Sequence, residues 1–312
     1  MSAGKLDRIR NSGRTILALA CLGCLLLALS ACSDEAEKPE VEPYPPPNPL
    51  LYEIANSNGE VEGWMLGTIH ALPDGVVWRT PEIDHVASDA DILVVEVASL
   101  RRSDALRKIF LELSQTGDLP PISERVSVEY RPDLETMLER SDLSRNRLRN
   151  TEDWGAAIML AQVDAPGRPR NGVDRALIAD FDGRDVRGLE TARGQLGVFD
   201  TLAAQDQRDL LEGTIAEWAA SRDDPERLLR AWLSGNAQVL ERATTEGIMA
   251  DSELHAALLV DRNNRWMDEL LPILEAEPKP FIAVGAAHLF GPEGLTVMLE
   301  DAGYTLERLP AS

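Results

Sequence analysis

GWMLGTIHALP (63–73) and FIAVGAAHLFG (281–291) are apolar runs that stop on a glycine and then present a histidine, as Gly67-Thr68-Ile69-His70 and Gly285-Ala286-Ala287-His288. The chain has only four histidines, so two of them in matching places far apart in sequence need a physical reason. An apolar run of this kind predicts a buried strand. Glycine at its end lets other groups approach the backbone closely, and Gly67 and Gly285 are expected to lie in tight turns where a side chain would intrude. The histidine three residues on then projects over the strand's C-terminal edge, where open α/β sheets bind their ligands.

The neighbouring segments fit the same sheet. LLYEIA (50–55), a turn at Asn56–Gly59 and EVEGWMLGTIH (60–70) read as a β-hairpin. A loop with Pro73 and Pro81 and a short helix lead to ADILVVEVASL (90–100), whose Ile92–Val95 core is apolar on both faces, as in a strand covered on both sides. Residues from about 102 to 275 are mostly helical in period, with one exception, GRDVRGLETA (183–192), which reads as a short strand ending at Glu190. KPFIAVGAAHL (279–289), GPEGLTVMLEDAG (291–303) and YTLERL (304–309) then return a strand, a helix and a strand. The fold class is α/β, with a large helical insertion between the two G-x-x-H segments.

If the strands are neighbours, His70, Glu96 and His288 converge, with Glu190 nearby. Two imidazoles and a carboxylate can bind a divalent metal with a position left open for water. Without metal the same groups could do acid–base work, a carboxylate orienting a histidine. A lone histidine at a strand end is more often structural; two in matching contexts, plus a carboxylate ending a third apolar strand, favour a shared site. His85 and His255 lie in helical segments and read as structural. Arg262 could hold a substrate carboxylate or Glu190, with Asn263 positioning it. From spacing alone, a helix surface laced with charges is the commoner explanation of that pair.

Composition sets further bounds. Fifty-three acidic against 31 basic residues give a net charge of −22, a field that repels nucleic acid and anionic headgroups. A basic start (Lys5, Arg8, Arg10, Arg14) and the apolar run TILALACLGCLLLALSAC (15–32) have the layout of a secretory signal over residues 1–31. Its end, Leu29-Ser30-Ala31-Cys32, resembles a lipobox, with Cys32 as the lipidated first residue of the mature chain. The acidic, proline-rich stretch 32–49 then reads as a tether to a domain spanning 50–309. Cys21, Cys24 and Cys32 are the only cysteines, so the domain has no disulfide and no thiolate ligand for zinc. Ser33 rather than aspartate after Cys32 points to the outer membrane, facing the periplasm.

WMLGTIH (64–70), LVVEV (93–97), GVD (172–174), GLET (188–191), AWLSGN (231–236), DRNNRWM (261–267) and AVGAAHLFGPEGL (283–295) together resemble, in order, the motifs of the TraB/GumN family, which includes the animal Tiki proteins. The resemblance covers about residues 50 to 309. It implies a three-layer α/β/α mixed sheet like that of the erythromycin-esterase and haem-lipoprotein relatives. It also implies that His70, Glu96 and His288 match the family's active-site positions, with Arg262 and Asn263 in support. Tiki proteins are regarded as metal-dependent proteases, so the resemblance implies a divalent metal (Mn, Co or Zn) on His70, Glu96 and His288 and a peptide or protein substrate. The function expected is a membrane-tethered periplasmic hydrolase. A haem- or metal-binding lipoprotein and a metal-free esterase using histidine as base are the alternatives.

Overall fold

The computed structural model describes residues 43–100, 103–276 and 278–311. The expected signal segment and the lipidation site at Cys32 lie outside the described residues. Among the described residues, no helix is long and apolar enough to cross a membrane.

Six strands form one mixed sheet: β1 (Leu51–Ala55), β2 (Val61–Thr68), β3 (Ile92–Val95), β4 (Asp185–Gly188), β5 (Pro280–Gly285) and β6 (Thr305–Arg308), in the order β4-β3-β5-β2-β1-β6. The hairpin forms where the Asn56–Gly59 turn allows it. Asn56 Oδ1 accepts from the amides of Asn58 and Glu60, and Gly59 takes a φ of +80° that an L side chain would resist. The two most apolar runs take the middle of the sheet: every residue of β3 and β5 is buried, whereas the polar β4 and β6 form its edges. Each fully buried Val, Ile or Phe of that centre contributes roughly 1.5–3 kcal/mol of transfer free energy.

Parallel pairing sets the site. β5 runs parallel to both β2 and β3, with Thr68 level with Gly285 and Val95 level with Ala283. β4 runs parallel to β3, and the ladder continues past its end, since the Glu190 amide donates to the Glu96 carbonyl (2.9 Å). Glu96, Glu190, His70 and the turn carrying His288 therefore leave the sheet at one rim.

The region between β3 and β5 holds a second core, packed around Trp154, Leu211, Ile215, Leu254 and Leu258, apart from the sheet's own core around Leu66, Val94, Phe281 and Trp266. Two parts of this helical region reach the sheet rim. One is the helix Ala192–Asp200, capped by Thr191 Oγ1 on the Gly194 amide. The other is a π-helical segment, Ala256–Val260, which runs straight into the helix Asp261–Leu274. Such π segments widen the helix by one residue per turn and often sit at functional sites.

Two expectations change. Residues 43–49 are docked, not a free spacer. Tyr44 Oη donates to Glu226 (2.7 Å), Arg230 to the Pro43 carbonyl (2.9 Å) and the Asn48 amide to the Leu233 carbonyl (2.7 Å). Nor do Gly67 and Gly285 sit in the tight turns expected of them. Both belong to strands, and neither has a positive φ. Close approach is what requires glycine there: a Cβ on Gly67 would lie 3.2 Å from Ala286 and Leu289, and one on Gly285 would lie 3.0 Å from Glu96 Oε1.

Candidate active site

His70, Glu96 and His288 come together at the rim, as the spacing predicts, but they are not equivalent. Nδ1 of His70 lies 2.9 Å from Asp174 Oδ2, while Thr68 Oγ1 donates to Asp174 Oδ1 (2.8 Å). A carboxylate can only accept here, so Nδ1 carries a hydrogen, and in the neutral ring Nε2 is the lone-pair nitrogen. That nitrogen stands 3.9 Å from Glu96 Oε1. Burial works against a charge on His70, but Asp174 and then Glu96 outweigh it and raise the pKa to about 9, with Arg262 opposing. The ring is walled in by protein at longer range yet its side chain is 62 % exposed, so solvent screens part of that upward pull.

Asp174 reaches His70 because the chain is pinned there. The Val173 amide donates to the Ile69 carbonyl (3.0 Å), and a Cβ on Gly172 would stand only 2.3 Å from the His70 carbonyl oxygen. Asp174 is itself buried.

Glu96 is 3 % exposed and accepts from three donors. Oε1 accepts from the Gly285 amide (2.8 Å); Oε2 accepts from Gln195 (2.9 Å) and Arg262 (2.6 Å). Burial alone would raise its pKa, but His70, His288 and Arg262, with the Gly285 amide, bring it down to about 2. Glu96 is therefore a fixed anion at neutral pH.

His288 is buried and held on both nitrogens. Nδ1 lies 2.6 Å from Asn263 Oδ1, and the Asn263 amide nitrogen donates to the carbonyls of His288 (3.2 Å) and Glu293 (2.7 Å). Because that nitrogen is spent on carbonyls, the Asn263 oxygen must accept, and His288 is protonated on Nδ1. Its Nε2 lone pair receives Arg262 Nη1 (3.0 Å). Burial lowers the pKa, Glu96 pulls it back, and Arg262 and His70 push it down again, to about 3. The ring also packs on Trp266, 4.3 Å between centroids.

Arg262 joins the whole arrangement. Nε donates to Glu190 Oε1 (3.1 Å), Nη1 to the Leu258 carbonyl (3.2 Å) and to His288, and Nη2 to Glu96 and to Glu190 Oε1. All five guanidinium hydrogens are used, and the group lies 4.6 Å over the Trp266 ring. Of the two roles open to it in the sequence, Arg262 takes the one on Glu190; it is not a solvated helix residue and has no hydrogen left for a substrate carboxylate. Glu190 is pushed up by burial against the pull of Arg262. His85 is exposed on its helix, and His255 lies outside the cluster.

The donor set does not fit a divalent ion in this arrangement. Among the described residues, no group of three His, Cys, Asp or Glu side chains is disposed to hold a metal. The chemical reason is visible: the lone pair of His288 and one oxygen of Glu96 both face a guanidinium, which would repel a second cation.

Asp174 and Gln195 are the site residues without an assignment in the sequence. Asp174 left a trace: it lies among Val173, Leu177 and Ile178, the buried stripe of the helix Val173–Asp180, an odd place for a carboxylate. Gln195 left none.

A family model, described as the TraB/PrgY/gumN family, matches residues 50–308, and the chain belongs to that family. No curated protein and no solved structure matches it.

Proposed function

We propose that this member of the TraB/PrgY/gumN family is a hydrolase in which His70 is the general base. The observation that carries it is the Asp174–His70 pair, whose free Nε2 faces the fixed anion Glu96 across 3.9 Å. A water accepting nothing from either but donating to both, at about 2.8 Å from each, would bridge them with an angle near 90°. Neutral His70 takes the proton of that water as it attacks a carbonyl, Asp174 keeps the ring's tautomer, and Glu96 stabilises the imidazolium that forms. The imidazolium then gives the proton to the leaving nitrogen or oxygen as its bond to the carbonyl carbon breaks. Arg262 touches no reacting atom in this scheme; it holds Glu96 ionised and in place. Peptide, amide or ester bonds are the substrate class this chemistry serves.

Export, a lipid on Cys32 and attachment to the outer membrane complete the proposal, supported by the sequence layout of residues 1–49. The layered arrangement of the erythromycin-esterase and haem-lipoprotein relatives is the fold type that goes with it.

The test is turnover of a panel of peptide amides and activated esters by the purified domain with chelator present, from about pH 6 to 10. Activity that survives the chelator, rises toward about pH 9 and disappears in His70→Ala is the expected result. Activity lost in chelator and restored by manganese, cobalt or zinc would put the metal-dependent protease in its place. A stoichiometric spectral shift with haem and no turnover would make the protein a carrier instead.

A further inference from the structure

Arg262 has the surroundings of a metal ion. Three ligand-type groups from separate parts of the chain aim at its guanidinium: Glu96 from the end of β3, Glu190 from the end of β4, and His288 from the turn after β5. His288 is also prepared as a metal ligand would be. An amide oxygen on Asn263 accepts from Nδ1 across 2.6 Å, so the Nε2 lone pair is presented inward, which is the usual outer-shell device for a ligating imidazole. The group receiving that lone pair is a side-chain nitrogen of the protein. Burial makes this costly unless charges balance: Glu96 is 3 % exposed, and the side chains of Arg262 and Glu190 are each 11 % exposed.

We propose that Arg262 is the protein's own resident cation, its guanidinium filling the place among Glu96, Glu190 and His288 that a divalent ion would take. The natural site then excludes the metal, and taking the guanidinium away converts the same three side chains into a metal site. Two carboxylates and one neutral imidazole are a sufficient donor set for Co(II) or Zn(II) once they close in on the space the guanidinium leaves. His70 stands apart from this set, on the Oε1 side of Glu96 and tied to Asp174. The proposal deepens the metal-free hydrolase above, but its test reads metal binding and not turnover, so either can fail alone.

The experiment is a Co(II) titration of the purified full chain, followed by visible absorption and by melting temperature. Wild type should give no histidine-dependent absorption band and no rise in melting temperature. Arg262→Ala should bind one Co(II) with an affinity higher by on the order of a hundredfold and be stabilised by it. Adding His288→Ala should abolish both signals, separating the site from weak binding at the acidic surface. Should the alanine variant fail to fold with or without Co(II), Arg262→Gln, which keeps one donor for a carboxylate, takes its place in the same titration. A wild-type protein that binds Co(II) through His288 would overturn the proposal. So would a folded Arg262 variant that binds none, because the three groups would then not surround a cation position at all.

Discussion

The two G-x-x-H arms begin alike and end as opposites. Each runs up a buried parallel strand, passes a glycine and delivers a histidine to the same rim. On the first arm a carboxylate, Asp174, grips the ring and solvent reaches the rest, so the imidazole gains basicity, with a pKa near 9. On the second arm an amide, Asn263, and a cation, Arg262, grip a buried ring, which loses basicity to about 3. The motif specifies where a histidine goes and leaves what it does to the residues that meet it there. A proton carrier needs an accessible, anion-backed imidazole; a structural or cation-facing one needs a dry, neutral pocket.

The sharpest way to break this contrast is to remove each ring. His70→Ala should lower kcat/KM by roughly 10²–10⁴, the usual worth of a positioned base, with little change in melting temperature near pH 9, where the charged pair with Asp174 no longer adds stability. Comparable activity in that variant would end His70's role. His288→Ala should instead show itself in stability, losing on the order of 1–3 kcal/mol as buried hydrogens of Arg262 and the oxygen of Asn263 lose their partner. Chemical denaturation of both variants reads the difference.

Arg262 tests the second arm from its other side. Arg262→Ala leaves Glu96 and Glu190 buried without their cation, and breaking a buried pair in this way costs about 3–5 kcal/mol. The loss should be smaller when Glu96→Gln is present as well, since that carboxylate no longer needs neutralising. Equal losses in both backgrounds would mean that Arg262 stabilises through its other partners, Glu190, His288, Trp266 and the Leu258 carbonyl, and not through the charge of Glu96.

How much of this the sequence carried follows the same division. Strands β2, β3 and β5 were legible because their apolar runs are unbroken and end at glycine or glutamate, and β4 because Val186 and Leu189 interrupt a helical period. His70, Glu96 and His288 could be placed on one rim from those strand ends. The partners that make the histidines differ come from the helical region, whose packing no local pattern encodes. Arg262 reads as surface charge in a helix Asp261–Leu274, until the π segment before it turns both Arg262 and Asn263 inward.

Stability against pH should carry both signatures at once. His70 is raised when folded, so its contribution is complete below the ordinary histidine pKa of about 6.5 and fades as pH climbs through about 9. His288 is lowered when folded, so its contribution is complete above about 6.5 and is lost as pH falls toward about 3. Urea midpoints across this range should decline on both sides. His70→Ala should flatten the alkaline decline only, and the acid side should persist, shared by His288 and the lowered Glu96. An alkaline slope unchanged by His70→Ala would place the titrating group elsewhere.

The smallest effects should come from the two motif glycines, and they should also differ in kind. On Gly67 an added methyl meets Ala286 and Leu289 at 3.2 Å, inside the packed layer under the rim. Neither neighbour can swing away, since one contact is backbone and Leu289 is fully buried, so Gly67→Ala should cost about 1–2 kcal/mol of overpacking. On Gly285 the methyl meets Glu96 Oε1 at 3.0 Å, then His70 Nε2 at 3.6 Å and His288 Cδ2 at 3.7 Å. The backbone there has φ −51° and ψ 134°, which alanine adopts without strain, so only the contact matters. The carboxylate can give way by a few tenths of an ångström, at the expense of its bond to the Gly285 amide and of its register with His70. Gly285→Ala should therefore melt within a few degrees of wild type and turn over about fivefold more slowly, because sub-ångström displacement of a reacting pair is felt in rate before stability. The reverse pattern, a stability loss at Gly285 and a rate loss at Gly67, would mean that the reacting groups line the first strand's glycine and not the second's.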